Sequence, residues 1–254
     1  MKFSEMNTTF QAAIVLLLAA VAALLLAALS NRGDLTTAML VLAGFGCFVT
    51  AIFLLALSKR ESLDPDVTAL LPVQGTIAVA TLVADLGVQG DALFFPPDEE
   101  GRVLEMIPAG SKVPSVVLPS SSYCMTPEGD AVVITPLCAP LLSHLRTHAS
   151  FEVPDEKDHL CEAISEVIED GLGLAGSASV QFDGENLVLD LTDFALIEGC
   201  RRVRAASPKC CTMVGCPVCG LIACIAAEGL GQSCKIASAM PAGDGLHLII
   251  VPVA

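Results

Sequence analysis

The chain has 254 residues, is 54% hydrophobic, carries a formal charge of −15 and contains one tyrosine and no tryptophan. A mean hydropathy of +0.69 argues against a wholly water-soluble protein and directs attention to membrane segments. The acidity is concentrated in residues 61–254, with 26 acidic and 9 basic side chains and a formal charge of −17; such a surface repels phosphate backbones and anionic headgroups, which sets nucleic-acid binding aside.

Two uncharged runs open the chain, residues 10–29 (FQAAIVLLLAAVAALLLAAL) and 38–57 (AMLVLAGFGCFVTAIFLLAL). Each is long enough, at about 20 residues, to cross a hydrocarbon layer as a helix. The short link SNRGDLTT between them makes the pair a transmembrane helical hairpin within residues 1–60. A cleaved signal peptide fits less well, because the first apolar run is too long and a second span follows at once. Lys2 precedes the first span, Lys59 and Arg60 follow the second, and Arg32 in the link is offset by Asp34. This cation balance places both termini in the cytoplasm. Neither span carries an Asp, Glu, Lys, Arg or His side chain, as an ion or proton path normally would. Ala19, Ala23 and Ala27, spaced by four, could let helices approach closely or could equally be plain apolar filler.

Residues 61–72, charged and proline-bearing, read as a linker. A small α+β unit is expected over 73–150. Val79, Leu82, Val83 and Leu86 follow helical spacing, although alternation at Ile77 and Val79 keeps a strand open; Gly87 supplies the stop. Short apolar runs at 91–95, 102–107, 114–118 and 131–135 read as strands, and 140–149 as a helix. A further unit is expected over 151–254, sharing one domain with the first or standing apart. Asp155 caps a helix reaching Asp170, with Leu160, Ile164, Val167 and Ile168 on one buried stripe. An Asp183-Gly184 turn joins two alternating runs into a β-hairpin. A helix around 193–203, the cysteine-rich segment and a final hairpin through PAGDG complete an α-ββ-α-α-ββ order. The fold class is therefore α+β: a transmembrane hairpin followed by a two-layer α/β region with antiparallel hairpins.

Eleven cysteines, several adjacent, in a region assigned to the cytoplasm favour free thiols, metal or redox chemistry over a disulfide framework. CCTMVGCPVCGLIACIAAEGLG, residues 210–231, holds five of them. If Cys216 is an N-cap, Pro217 occupies the first helical position and Cys219 lies one turn on. A helix N-terminus favours thiolate, the local logic of dithiol oxidoreductases, but the segment lacks the early βαβ setting of that class. Cys210, Cys211, Cys216, Cys219 and Cys234 could together supply zinc or iron–sulfur ligands, although paired C-x2-C knuckles are missing. The leading reading is a buried helix built with small apolar thiols, with no required cofactor.

His144 and His148 are spaced as i, i+4 without the glutamate of HExxH and read as a solvated helix face; His159 and His247 are isolated. PPDEEGR around Asp98 reads as a solvated turn, and GLGLAG (171–176) as a helix stop, because it follows a helix and precedes a strand, the reverse of a dinucleotide-binding turn.

The stretches VADLGVQGDALFFPP (83–97), RVLEMIP (102–108), ITPLCAPLLSHL (134–145) and GCPVCGLIACIAAEGLGQSCKI (215–236) resemble a group of uncharacterised archaeal membrane proteins that pair a two-span hairpin with a cytoplasmic α+β domain. Cys138 stands where the related turn carries glycine. The resemblance implies this architecture and transfers no activity. The expectation is a membrane-anchored cytoplasmic interaction, scaffold or regulatory module rather than an enzyme, held in the membrane by residues 10–29 and 38–57 and engaging a protein partner or a second copy. The alternative is a thiol-redox or metal-binding protein using the 210–219 cysteines.

Overall fold

The computed structural model describes residues 8–30, 35–57, 64–110, 123–126 and 129–253. The strand expected at 114–118, and Lys2, Arg32, Lys59 and Arg60, lie outside them. The chain divides into two compact units, 1–63 and 64–254.

In the first unit, α1 (Thr8–Ser30) packs along α2 (Leu35–Leu57). Both are long and apolar enough to cross a membrane. The packed seam differs from the expected one. Ala13, Ala20 and Ala27 are the buried positions, a seven-residue repeat, whereas Ala19 faces outward. Two helices that wind around each other keep a seam in register every seven residues, not every four. Gly44 meets the Leu24 side chain across that seam, where an added Cβ would lie 3.0 Å from Leu24 Cγ.

The second unit begins with a correction. Residues 64–72 are not a linker: Asp64 caps a helix, α3 (Pro65–Leu70), accepting from the Asp66 amide at 2.9 Å with proline just inside. This is the start signal of a helix too short to show periodicity. After the break at Leu71-Pro72 comes α4 (Val73–Asp85), helical rather than extended, with Thr76, Ala80 and Val83 buried and Gly87 at φ +79° beyond it.

All the strands of this unit join one antiparallel sheet. They are β1 (Leu93–Phe94), β2 (Glu105–Pro108), β3 (Tyr123–Thr126), β4 (Gly129–Ile134), β5 (Ser177–Asp183), β6 (Asn186–Thr192), β7 (Cys234–Ala242) and β8 (Gly245–Pro252). The order across the sheet is β3-β4-β2-β1-β7-β8-β6-β5. The pairing of β1 with β7 joins the sequence stretches 73–150 and 151–254 through a single sheet. Alternation sets its faces. Leu187, Leu189 and Leu191 on β6 lie opposite Ile250, Leu248 and Leu246 on β8, and all six are buried in the main core. Leu93, Met106 and Val133, one residue out of phase with Phe94, form a small cluster on the other face.

The hairpin turns are close to those expected. Asp183 pairs with Asn186, so the two-residue loop is Gly184-Glu185, with Gly184 at φ +64°. In the last hairpin Gly243-Asp244 forms the loop, and a bulge at Ala237 shifts the register.

The helices of this unit are α5 (Ala139–His148), α6 (Lys157–Glu166) continued by a π-helical turn (Val167–Gly171), α7 (Ile197–Ala206), α8 (Cys210–Met213) and α9 (Pro217–Leu230). Glu156, not Asp155, precedes the first turn of α6. α9 is the axis of the core, with eleven buried residues. It packs against β1, β7, β8, α5 and α6. By composition the stretch Cys210–Leu230 is apolar enough to cross a membrane, but it is 83% buried inside the protein. Gly231, at φ +64°, ends the helix, as a left-handed cap does. Gly229 remains helical and lets α6 approach: an added Cβ would fall 2.7 Å from both Leu160 Cδ1 and the Pro154 oxygen.

Candidate functional site

The start of α9 is the feature best specified by its own residues. Cys216 is the N-cap, in extended conformation, and its sulfur accepts a hydrogen bond from the Cys219 amide at 3.4 Å. Pro217 occupies the first turn, where its missing N–H leaves nothing unpaired. Gly215 turns the chain at φ +71° beneath Phe94, whose Cζ would lie 2.8 Å from an added Cβ.

Around this N-terminus the fold gathers four thiols. Cys211 sits on α8 and is buried; Cys200 comes from α7 and Cys219 from the first turn of α9, both also buried; Cys216 is only half-buried. Cys200, Cys211 and Cys216 share the wall of one cavity, and Cys219 follows Cys216 by one helical turn, with its amide on that sulfur. The Cys216 sulfur thus accepts from the Cys219 amide and has the Cys211 and Cys219 thiols as interacting neighbours. The Cys211 thiol, then that of Cys219, holds Cys216 well below the usual thiol range, with burial opposing. Its partners move the other way. Interaction with Cys200 leads in raising Cys211, and interaction with Cys216 leads in raising Cys219. Cys216 is thus the thiol of the group whose ionisation its neighbours and the helix N-terminus favour.

These thiols border a cavity of about 390 Å³, within the size range of small-ligand sites. Cys200, Cys211 and Cys216 line it, with an aliphatic wall that includes Leu141, Leu174, Leu196, Val218 and Leu246. Two hydroxyl-bearing side chains, Thr68 and Thr76, also reach it, but each is turned back on its own helix, bonding the Asp64 and Pro72 carbonyls at 3.0 Å. The lining contains no Asp, Glu, Lys, Arg or His side chain. It therefore suits an uncharged, apolar occupant in contact with a soft, polarisable sulfur. The cavity depends on a close helix crossing: at Gly199 an added Cβ would lie 2.1 Å from the Ala69 carbonyl oxygen, so α3 can lie directly on α7.

Of the five cysteines expected to act together, Cys211, Cys216 and Cys219 do come together. Cys210 is buried and its pKa is raised by burial. Cys234 begins β7, with its thiol pushed up to about 12 by burial. Neither lines the cavity. The sequence pattern does not point to Cys200, because nothing in the spacing brings α7 against α8. Among the described residues, no group of three or more His, Cys, Asp or Glu side chains is arranged to hold a metal ion. His144 and His148 are exposed with stacked rings 4.4 Å apart. His247, read as a surface or satisfied core residue, bonds Asp190 across β6 and β8 at 2.7 Å.

A second polar group lies deeper. Cys138 precedes α5 at φ −81°, so this position does not need the glycine of the related turn. Its sulfur is 3.5 Å from that of Cys224 on α9. Glu105 on β2 is fully buried, and neither of its carboxylate oxygens has a hydrogen-bond partner. Burial, and secondarily Cys138, raises its pKa well above the carboxylate range, so the carboxyl is held neutral in an apolar setting.

With a transmembrane-competent hairpin and an α+β unit enclosing a thiol-lined cavity, the chain can be assigned to a family. It belongs to the family described as a domain of unknown function, DUF7982, whose model matches residues 4–250. Comparison with curated proteins and with solved structures gives no match.

Proposed function

We propose that this protein is an integral-membrane regulatory module. The hairpin anchors it with both termini in the cytoplasm, and the 64–254 unit, helices and sheet in two layers, interacts with a partner protein or a second copy. Its input is a small apolar ligand in the cavity beside Cys216. The observation that carries this reading is the composition of the cavity wall: aliphatic side chains and three thiols, with the nearby hydroxyls already bonded to backbone. Such a wall favours holding an apolar molecule; it provides no set of groups to transform a polar one. Filling the cavity with Leu141→Trp is expected to remove a small-molecule adduct seen by native mass spectrometry of the full chain released from nanodiscs. Identical spectra for the two proteins, or steady turnover of a small molecule by the purified protein, would count against the proposal.

A thiol-redox role is the second reading, favoured by the Cys211 and Cys219 thiols that act on Cys216 at the start of α9. In that chemistry the Cys216 thiolate attacks one sulfur of an oxidised dithiol partner, and the other partner sulfur leaves as a thiolate. Cys211, losing its proton, then displaces the first partner sulfur and closes a disulfide with Cys216.

A further inference from the structure

We propose that α3 and α4 form a membrane-interface face, lying on the bilayer surface rather than crossing it. This rests on the reading of residues 8–57 as a membrane anchor. Beyond that hairpin the described residues leave six large apolar side chains exposed, and five of them are Val67, Leu70, Leu71, Leu82 and Leu86; the sixth is Met240. Gly75, Ala78, Leu82 and Leu86 are all exposed and follow i, i+3, i+7, i+11, one stripe along α4, with exposed Leu71 just before the break that precedes it. Between Val67 and Ala84 the sequence contains no charged residue.

A water-facing surface of this composition is costly to leave uncovered. The opposite face is occupied: Ala69, Thr76, Ala80 and Val83 are buried within the unit, and α3 and α4 both pack on α7. The stretch Asp66–Asp85 has the length and apolarity of a span. The break at Leu71-Pro72 nevertheless leaves α4 with 13 residues, about 20 Å of helix against the roughly 30 Å required. Crossing would also require stripping its inner face from the core. An interfacial position keeps that face packed and covers the outer one.

The lipid surface is favoured as the occupant by chain length. Asp64 follows Leu57, the last residue of α2, by seven positions, at most about 25 Å of extended chain. Tethering at that range gives a high effective concentration at the bilayer. It also supplies what the face lacks, since interfacial helices usually add cationic side chains and this unit is strongly acidic. Association is therefore apolar in origin and does not depend on anionic lipid.

The absence of tryptophan provides the test. Single-tryptophan versions of the full chain, Leu82→Trp, Phe48→Trp in α2 and Glu185→Trp in the β5–β6 loop, are reconstituted into vesicles of dibrominated phosphatidylcholine. The expected result is blue-shifted emission from Leu82→Trp with about half or more of its intensity quenched, as for a side chain about 5–10 Å into the acyl boundary. Phe48→Trp is quenched and Glu185→Trp is not. Leu86→Trp is the second probe if Leu82→Trp does not fold. Quenching of Phe48→Trp without that of Leu82→Trp or Leu86→Trp overturns the interface and leaves the anchor intact. An unquenched Phe48→Trp overturns both. Blue-shifted emission from residue 82 without quenching also overturns the interface, and identifies a protein, a partner or a second copy, as what covers the face.

Discussion

Glu105→Met is expected to stabilise the protein. The side chain it replaces is fully buried and its carboxylate oxygens have no hydrogen-bond partner. A buried polar group left without a partner costs about 1–3 kcal/mol, and an apolar side chain of similar volume removes that cost. In a unit of this size each kcal/mol moves the midpoint by about 2–4 °C, measurable by thermal unfolding of the full chain in nanodiscs. The pH dependence has a definite sign. The folded pKa of Glu105 is raised above its unfolded value by burial first and Cys138 second. The folded state therefore holds the proton more tightly, and this group's contribution is complete at acid pH, below the unfolded value of about 4.3. It is lost as pH rises through the folded pKa. The native midpoint should fall over that window relative to Glu105→Met. A destabilised Glu105→Met, or two parallel pH profiles, would show that the carboxyl has a partner and is ionised.

Gly199→Ala should be strongly destabilising even though it adds one carbon. The added Cβ would lie 2.1 Å from the Ala69 carbonyl oxygen and 3.0 Å from its carbonyl carbon. Both are backbone atoms that cannot rotate away, so α3 must lift from α7. Overpacking of this kind typically costs about 1–3 kcal/mol, and it also disturbs the cavity, whose wall both helices form. Gly75→Ala is the matched control. It is helical and has no atom within 4 Å of an added Cβ, so relief of glycine's conformational cost should stabilise by about 0.5–1 kcal/mol. Opposite signs for one chemical change would show that the close crossing, not helix propensity, requires glycine at 199. Equal effects would show that it does not.

The parts of the fold legible in the sequence are those encoded locally. The two apolar helices, the glycine turns of both hairpins and the Cys216–Pro217 start of α9 depend on residues within a few positions of one another. Asp64-Pro65 is also a local helix start, but a six-residue helix completes too little of a turn pattern to separate it from a linker. What could not be read is long-range. The pairing of β1 with β7 places residues some 140 positions apart side by side, and no periodicity encodes it. The same holds for Cys200 meeting Cys211 and for Cys138 meeting Cys224. Glu105 left a trace: one acidic residue within the apolar run RVLEMIP, where alternation would place it either in water or unpaired in the core. The spacing of small residues in α1 suggested a four-residue seam. The seven-residue seam emerges only when two helices are packed together, because it is a property of the pair.

The decisive point is that Cys216 carries the most readily ionised thiol beside a cavity suited to small apolar molecules. It is tested most directly by residue-resolved alkylation kinetics of the full chain in nanodiscs, using a small uncharged haloacetamide and mass-spectrometric readout, for the native protein and Leu141→Trp. The account predicts that Cys216 is modified well before the buried Cys211, Cys219 and Cys234, and that filling the cavity slows Cys216 while leaving the exposed part of the chain unaffected. Slow modification of all these thiols at similar rates, or a Cys216 rate unchanged by Leu141→Trp, would contradict it.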